Sequence, residues 1–196
     1  MTITITKQQV RGMIPADYVY KTVSNRLPGG DDTPFAPSEM AELGVPHNTI
    51  VWSFIRPAVL EDAFGETVCK IAEAALPAFE AARPDDTGPR DAIEAARKCF
   101  ASPTADNRAA AHAAAVAAAL ADANAAYTAA VDDPSAASWA PWESRAASAA
   151  ASSAASYAAR VLDEYNVPSA SETANLAVDA GCPPAKIISI IEGARI

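Results

Sequence analysis

Two histidines, His47 and His112, are the side chains best suited to carry protons near neutral pH. Neither stands in a Glu-x-x-His or His-x-x-x-His spacing, so the usual helical patterns of a zinc site are missing. His47 precedes a predicted helix, where we expect it to be a capping or exposed residue. His112 falls on the apolar stripe of an alanine-rich helix, and we expect it to be a hydrogen-bonded core residue. No histidine-based chemistry is therefore predicted.

The remaining reactive residue types also lack catalytic patterns. Four pairs of adjacent carboxylates lack the alternating spacing of a calcium loop, and we expect them to cap helices or to be solvated. Gly29-Gly30 fits no phosphate-binding loop, and no serine lies in a GxSxG elbow. The cysteines are three and widely spaced, which favours buried thiols in a reducing compartment over disulfides or zinc. We expect a non-enzymatic protein that needs no cofactor and no metal. The carboxylate pairs are Asp31-Asp32, Glu61-Asp62, Asp85-Asp86 and Asp132-Asp133, and the cysteines are Cys69, Cys99 and Cys182.

The composition is that of an acidic, alanine-rich helical protein. Of 196 residues about a quarter are alanine, and 24 acidic against 15 basic residues give a net charge of −9. Alanine is the best helix former and is depleted in strands, so an all-α fold is predicted. The negative charge disfavours binding to nucleic acid and suits a basic protein partner. With no apolar run of about 20 residues and no apolar core near the first residue, we expect a cytoplasmic protein that does not bind membranes.

Residues 1–47 are predicted to form a loop-rich segment with short helices. The start, MTITIT, fits either a short edge strand or an ordered tail, and Thr6 is a plausible helix cap. Residues 27–37 contain three prolines and two glycines, which predicts a loop. Asn48 is expected to cap the next helix, whose bulky residues repeat every three or four positions. These residues are Val51, Trp52, Ile55 and Val59.

Two amphipathic helices are predicted next. The first runs from about Gly65 to Ala82, and its apolar side contains Val68, Ile71, Leu76 and Phe79. The second has Pro89 in its first turn and Asp86 or Thr87 as its cap. On the solvent side of this second helix, Glu94 is four residues from both Arg90 and Lys98, so ion pairs are expected.

Two alanine-rich segments, residues 105–131 and 142–165, are predicted to pack as an antiparallel helical hairpin because small side chains let helix axes approach closely. The residues expected on the buried stripe of the first are His112, Val116, Leu120, Ala123, Tyr127 and Val131. Those of the second are Ala150, Ala154, Tyr157, Val161 and Tyr165, with Ser148, Ser152 and Ser156 on another face. Trp139 and Trp142 lie in or beside the connecting loop, where they either cover the end of the hairpin or anchor a partner.

The run LPAFEAARPDDTGPRDAIEAAR, within residues 68–100, resembles immunity proteins of bacterial polymorphic toxin systems. The alanine-rich hairpin and, more loosely, WSFIRPAVLEDA extend the match to roughly residues 48–165. The resemblance implies a helical domain that binds and blocks a cognate toxin without doing chemistry. We therefore predict a helical bundle built around the hairpin, which acts as an inhibitor of a partner protein. The candidate partner-binding residues are Trp139, Trp142, Asp85 and Asp86.

Residues 166–196 lie outside this match and are predicted to form a small two-helix C-terminal appendage. Within them LAVDAGCPPAKIISIIEGAR resembles the helix-turn-helix core of phage-repressor-like proteins, which would imply DNA binding. Only Lys186 and Arg195 are basic there, so the charge does not favour this alternative. Another alternative is an acidic mobile-element inhibitor that mimics phosphate charge to occupy a nucleic-acid-binding protein. The oligomeric state stays open, since an alanine face can also pack on a second copy.

Overall fold

The computed structural model describes residues 3–13, 17–132, 142–160 and 168–194. In these ranges the regular structure is helical apart from one two-stranded ladder, so the all-α prediction is confirmed. A short 3-10 turn, Glu61–Ala63, precedes the sixth α-helix. The other elements are β1 (Ile5–Thr6), α1 (Lys7–Met13), α2 (Asp17–Arg26), β2 (Pro34–Phe35), α3 (Pro37–Glu42), α4 (His47–Phe54), α5 (Pro57–Leu60), α6 (Phe64–Ala82), α7 (Gly88–Ala101), α8 (Ala105–Asp132), α9 (Trp142–Arg160), α10 (Pro168–Asp179) and α11 (Pro184–Glu192).

Packing divides the chain into two compact units. Unit 1 comprises Met1–Thr67 and Pro184–Ile196, and unit 2 comprises Val68–Pro183. These boundaries differ in position from the segment boundaries predicted from the sequence, at residues 47/48 and 165/166. Helix α11 is therefore part of the unit that contains the first 67 residues, whereas α10 is part of the helical bundle of unit 2.

The first elements of unit 1 are a short paired strand and a helix that is capped at its N-terminus. Ile5 of β1 lies opposite Phe35 of β2 in an antiparallel ladder. The Gln9 backbone N–H donates to Thr6 Oγ1 at 3.1 Å, and the Thr6 N–H donates to Gln9 Oε1 at 2.8 Å. This reciprocal capping box satisfies two backbone donors at the start of α1. Ile5 and Thr6 thus form the short strand, and Thr6 is also the cap.

Prolines set the bounds of helices α4 and α5. Helix α4 begins at His47 after Pro46, so Asn48 lies inside the helix and its predicted capping role is wrong. The helix ends at Phe54, and α5 starts at Pro57. Proline has no N–H to donate to the preceding turn, so the helix predicted as continuous through this region is divided in two.

Helix α11 completes the core of unit 1 by packing on α3 and α4. Ile187 and Ile191 are both 0% exposed. The Ser38 N–H, in the first turn of α3, donates to Glu192 Oε1 at 2.9 Å. A carboxylate at this place satisfies a backbone donor that has no partner inside the helix. The end of α11 is therefore tied to the start of α3.

In unit 2, α6 and α7 run antiparallel, with two ion pairs across them. Arg97 Nη2 lies 2.8 Å from Glu73 Oε1, and Arg90 pairs with Glu80. The predicted pairing of Arg90 with Glu94 is replaced by this contact, because the helical hairpin brings Glu80 within reach. The predicted apolar side of α6 is confirmed, since its residues are 6% exposed or less. These residues are Val68, Ile71, Leu76 and Phe79.

The alanine-rich hairpin is antiparallel as predicted. Ser148 Oγ of α9 donates to the Ala118 carbonyl of α8 at 3.2 Å, and Ser152 Oγ donates to the Ala115 carbonyl at 3.0 Å. As the residue number rises along α9 it falls along α8, which fixes the direction. Helix α7 packs on both α8 and α9, and α10 packs on α9.

Candidate protein-binding face

Between residues 111 and 118, the side of α8 that is buried in the bundle is lined by the methyl groups of alanines. Ala111, Ala115 and Ala118, at steps of four and three, are 2% exposed or less. With nothing larger than a methyl group between the helices, the serine hydroxyls of α9 reach the α8 backbone carbonyls. Small side chains permit interaxial distances at the low end of the usual range of about 8 to 10 Å.

The stripe predicted to be buried on α8 is wrong for its described part. His112 is exposed, and Val116 and Leu120 are 44% and 56% exposed. A valine or leucine at the α8–α9 contact would hold the two backbones apart and break the serine–carbonyl hydrogen bonds. Close methyl packing therefore turns the larger side chains outward. The side chains of Ala123, Tyr127 and Val131 lie outside the described residues, as do those of Tyr157, Val161 and Tyr165.

The exposed side of α8 is an apolar surface. Val116 and Leu120 are one helical turn apart, so their side chains lie on the same face. Exposed alanines extend this surface, and residues 109–120 contain no Asp, Glu, Lys or Arg. Two exposed branched side chains among exposed alanines, with the exposed imidazole of His112 one turn before Val116, differ from the scattered apolar residues of an ordinary protein exterior. We call this surface the α8 outer face, and its residues are Ala109, Ala113, Val116, Ala117 and Leu120.

The acidic residues singled out from the sequence lie beside α8. Of the two residues predicted as the cap of α7, Thr87 is the N-cap residue but its side chain makes no capping hydrogen bond, whereas Asp86 Oδ1 accepts the Gly88 N–H at 2.9 Å. A Cβ added at Gly88 would lie 3.8 Å from the Ala118 Cα, so this turn rests against α8. Asp85 is exposed and Asp86 is half-buried. The turn therefore lies against the buried side of α8, opposite Val116 and Leu120.

Trp139 and the side chain of Trp142 lie outside the described residues, so their proposed role as anchors stays a prediction. Val116 and Leu120 were assigned to the core and are the residues that sequence reasoning missed as surface. One signal could have found them. Ser148 and Ser152 lie four residues apart on α9, and a hydroxyl pair facing α8 requires a partner face of alanines only. Such a face runs through Ala111, Ala115 and Ala118, which leaves the larger residues outside.

His47 is another candidate residue for chemistry. His47, at the start of α4, is half-buried, and burial lowers its pKa below the usual 6.5. Its buried Nε2 has no hydrogen-bond partner. Within the described ranges, no three His, Cys, Asp or Glu side chains are grouped so that they could hold a metal ion.

The three cysteines are free and buried, as predicted. The Cys99 thiol is 0% exposed and donates to the Ala158 carbonyl of α9, with Sγ and O 3.1 Å apart. Burial raises the pKa of this thiol, and the nearby charge of Arg108 opposes the shift. Because the thiolate is the nucleophile, a buried thiol with a raised pKa is a poor one.

The segment that resembles a helix-turn-helix has a tight turn between α10 and α11. Gly181 has φ +85°, and the Cys182 N–H donates to the Ala177 carbonyl at 3.0 Å. Ile187, Ile188 and Ile191 of α11 are buried in unit 1, and the exposed side of α11 near the turn carries one cation, Lys186. A single cation there does not favour the phosphate contacts on which DNA affinity depends.

No helix in the described part of the chain combines the length and apolar character that crossing a bilayer requires. No protein-family model, curated protein or solved structure matches the chain.

Proposed function

We propose that this protein is a non-enzymatic, immunity-type inhibitor that neutralises a toxin by binding it. The observation that carries the proposal is the α8 outer face, an apolar surface on a helix whose opposite side is fixed in the bundle. The resemblance of residues 48–165 to immunity proteins supports the same class of function. The class requires a rigid surface that recognises a partner and no reacting group.

The apolar side chains supply affinity in this proposal. Fully burying a valine or leucine side chain contributes about 1.5 to 3 kcal/mol. Val116 and Leu120 are 44% and 56% exposed, so about half of that gain is still available at each residue. Together they are worth about 1.5 to 3 kcal/mol on binding, which is a factor of about 10 to 150 in Kd.

In this proposal the net charge determines which partners are attracted and how fast they associate. A net charge of −9 attracts a basic protein and repels an acidic one. Charges at the edge of an interface mainly change the association rate and its dependence on salt.

The test is neutralisation of a toxin encoded next to this protein in its native host. The toxin is expressed in a bacterium alone, with this protein, and with its Leu120→Gln variant. We expect survival with the unchanged protein and loss of most protection with Leu120→Gln, which removes apolar surface and adds no charge. Leu43→Gln is the matched control, because Leu43 is a 40% exposed leucine outside the α8 outer face.

Two results would count against the proposal. If the toxin kills equally well with and without the unchanged protein, the inhibitor function is refuted. If Leu43→Gln and Leu120→Gln lose protection equally, the effect is not specific to the α8 outer face. Circular dichroism of both variants checks that they remain helical.

A further inference from the structure

We draw no further inference here: the strongest candidate, the exposed apolar patch that Val116 and Leu120 form on the α8 outer face, carries nothing beyond the proposed function because no feature of the described residues shows what covers it.

Discussion

Substituting Ala115 by leucine tests the assignment of the two sides of α8. Ala115 is 2% exposed, and its carbonyl accepts the Ser152 hydroxyl at 3.0 Å. Three additional carbon atoms have no space there. Overpacking a closely packed contact costs about 1 to 3 kcal/mol. Loss of the serine–carbonyl hydrogen bond adds about 0.5 to 1.5 kcal/mol. We expect the free energy of unfolding to fall by about 2 to 4 kcal/mol.

The assay is unfolding followed by circular dichroism, in urea and on heating. For a chain of this length each kcal/mol lowers Tm by about 2 to 4 °C, so Ala115→Leu should lower Tm by about 4 to 16 °C. Ala113→Leu is the matched control. It makes the same change two residues away on the α8 outer face, where substitutions are usually within about 0.5 kcal/mol of neutral.

Leu120→Ala completes the test because the two assignments of the α8 faces predict different costs. If Leu120 lay in the core, as its helical spacing suggested, removing its side chain would cost about 2 to 5 kcal/mol. With 56% of the residue exposed, we expect a cost below about 1 kcal/mol. A large loss for Leu120→Ala together with a neutral Ala115→Leu would refute the reasoning about which side of α8 is buried.

Two further predictions follow from buried titratable groups. Because burial lowers the pKa of His47 in the folded protein, the unfolded chain binds a proton more readily, so stability should decline as pH falls below 6.5; urea unfolding at a series of pH values should show a weaker decline for His47→Gln. An equal decline in that variant would contradict this origin. The Cys99 thiol, buried and with a raised pKa, should react with a maleimide far more slowly in the folded protein than in urea, as followed by mass spectrometry; fast reaction at Cys99 without urea would contradict its burial.

Local signals in the sequence were sufficient to predict that the fold is helical and which side of α6 is buried. The apolar residues of α6 alternate with charged ones, so their spacing identified the buried side, and Val68 and Phe79 lie where the period put them. The start of α7 was also local, because Asp86 accepts the N–H of a residue only two positions on. In both cases the deciding interaction lies within the element or its nearest turn.

The orientation of α8 could not be found in that way. Residues 109–120 are alanine except for His112, Val116 and Leu120, so hydropathy provides little contrast between the sides of the helix. The interactions that decide which side of α8 is buried are made by Ser148 and Ser152, with α8 carbonyls that lie 30 and 37 residues earlier in the chain. The hydrophobic effect favours burial of the larger apolar residues, whereas close approach of two helix backbones favours burial of the smallest residues. Because the candidate face follows from this choice, the hydropathy of α8 alone could not identify it.

The hydrogen bond between the Ser38 N–H and Glu192 has a consequence for the order in which the chain acquires its structure. Unit 1 is discontinuous, because Val68–Pro183 is inserted between its two parts. A ribosome releases the first 67 residues well before α11, so the surface of α3 and α4 that α11 covers stays open until the inserted bundle has been synthesised. The bundle is one uninterrupted stretch of chain and can fold in the meantime. The packed helices α8 and α9 would then be complete earlier during translation than the first unit.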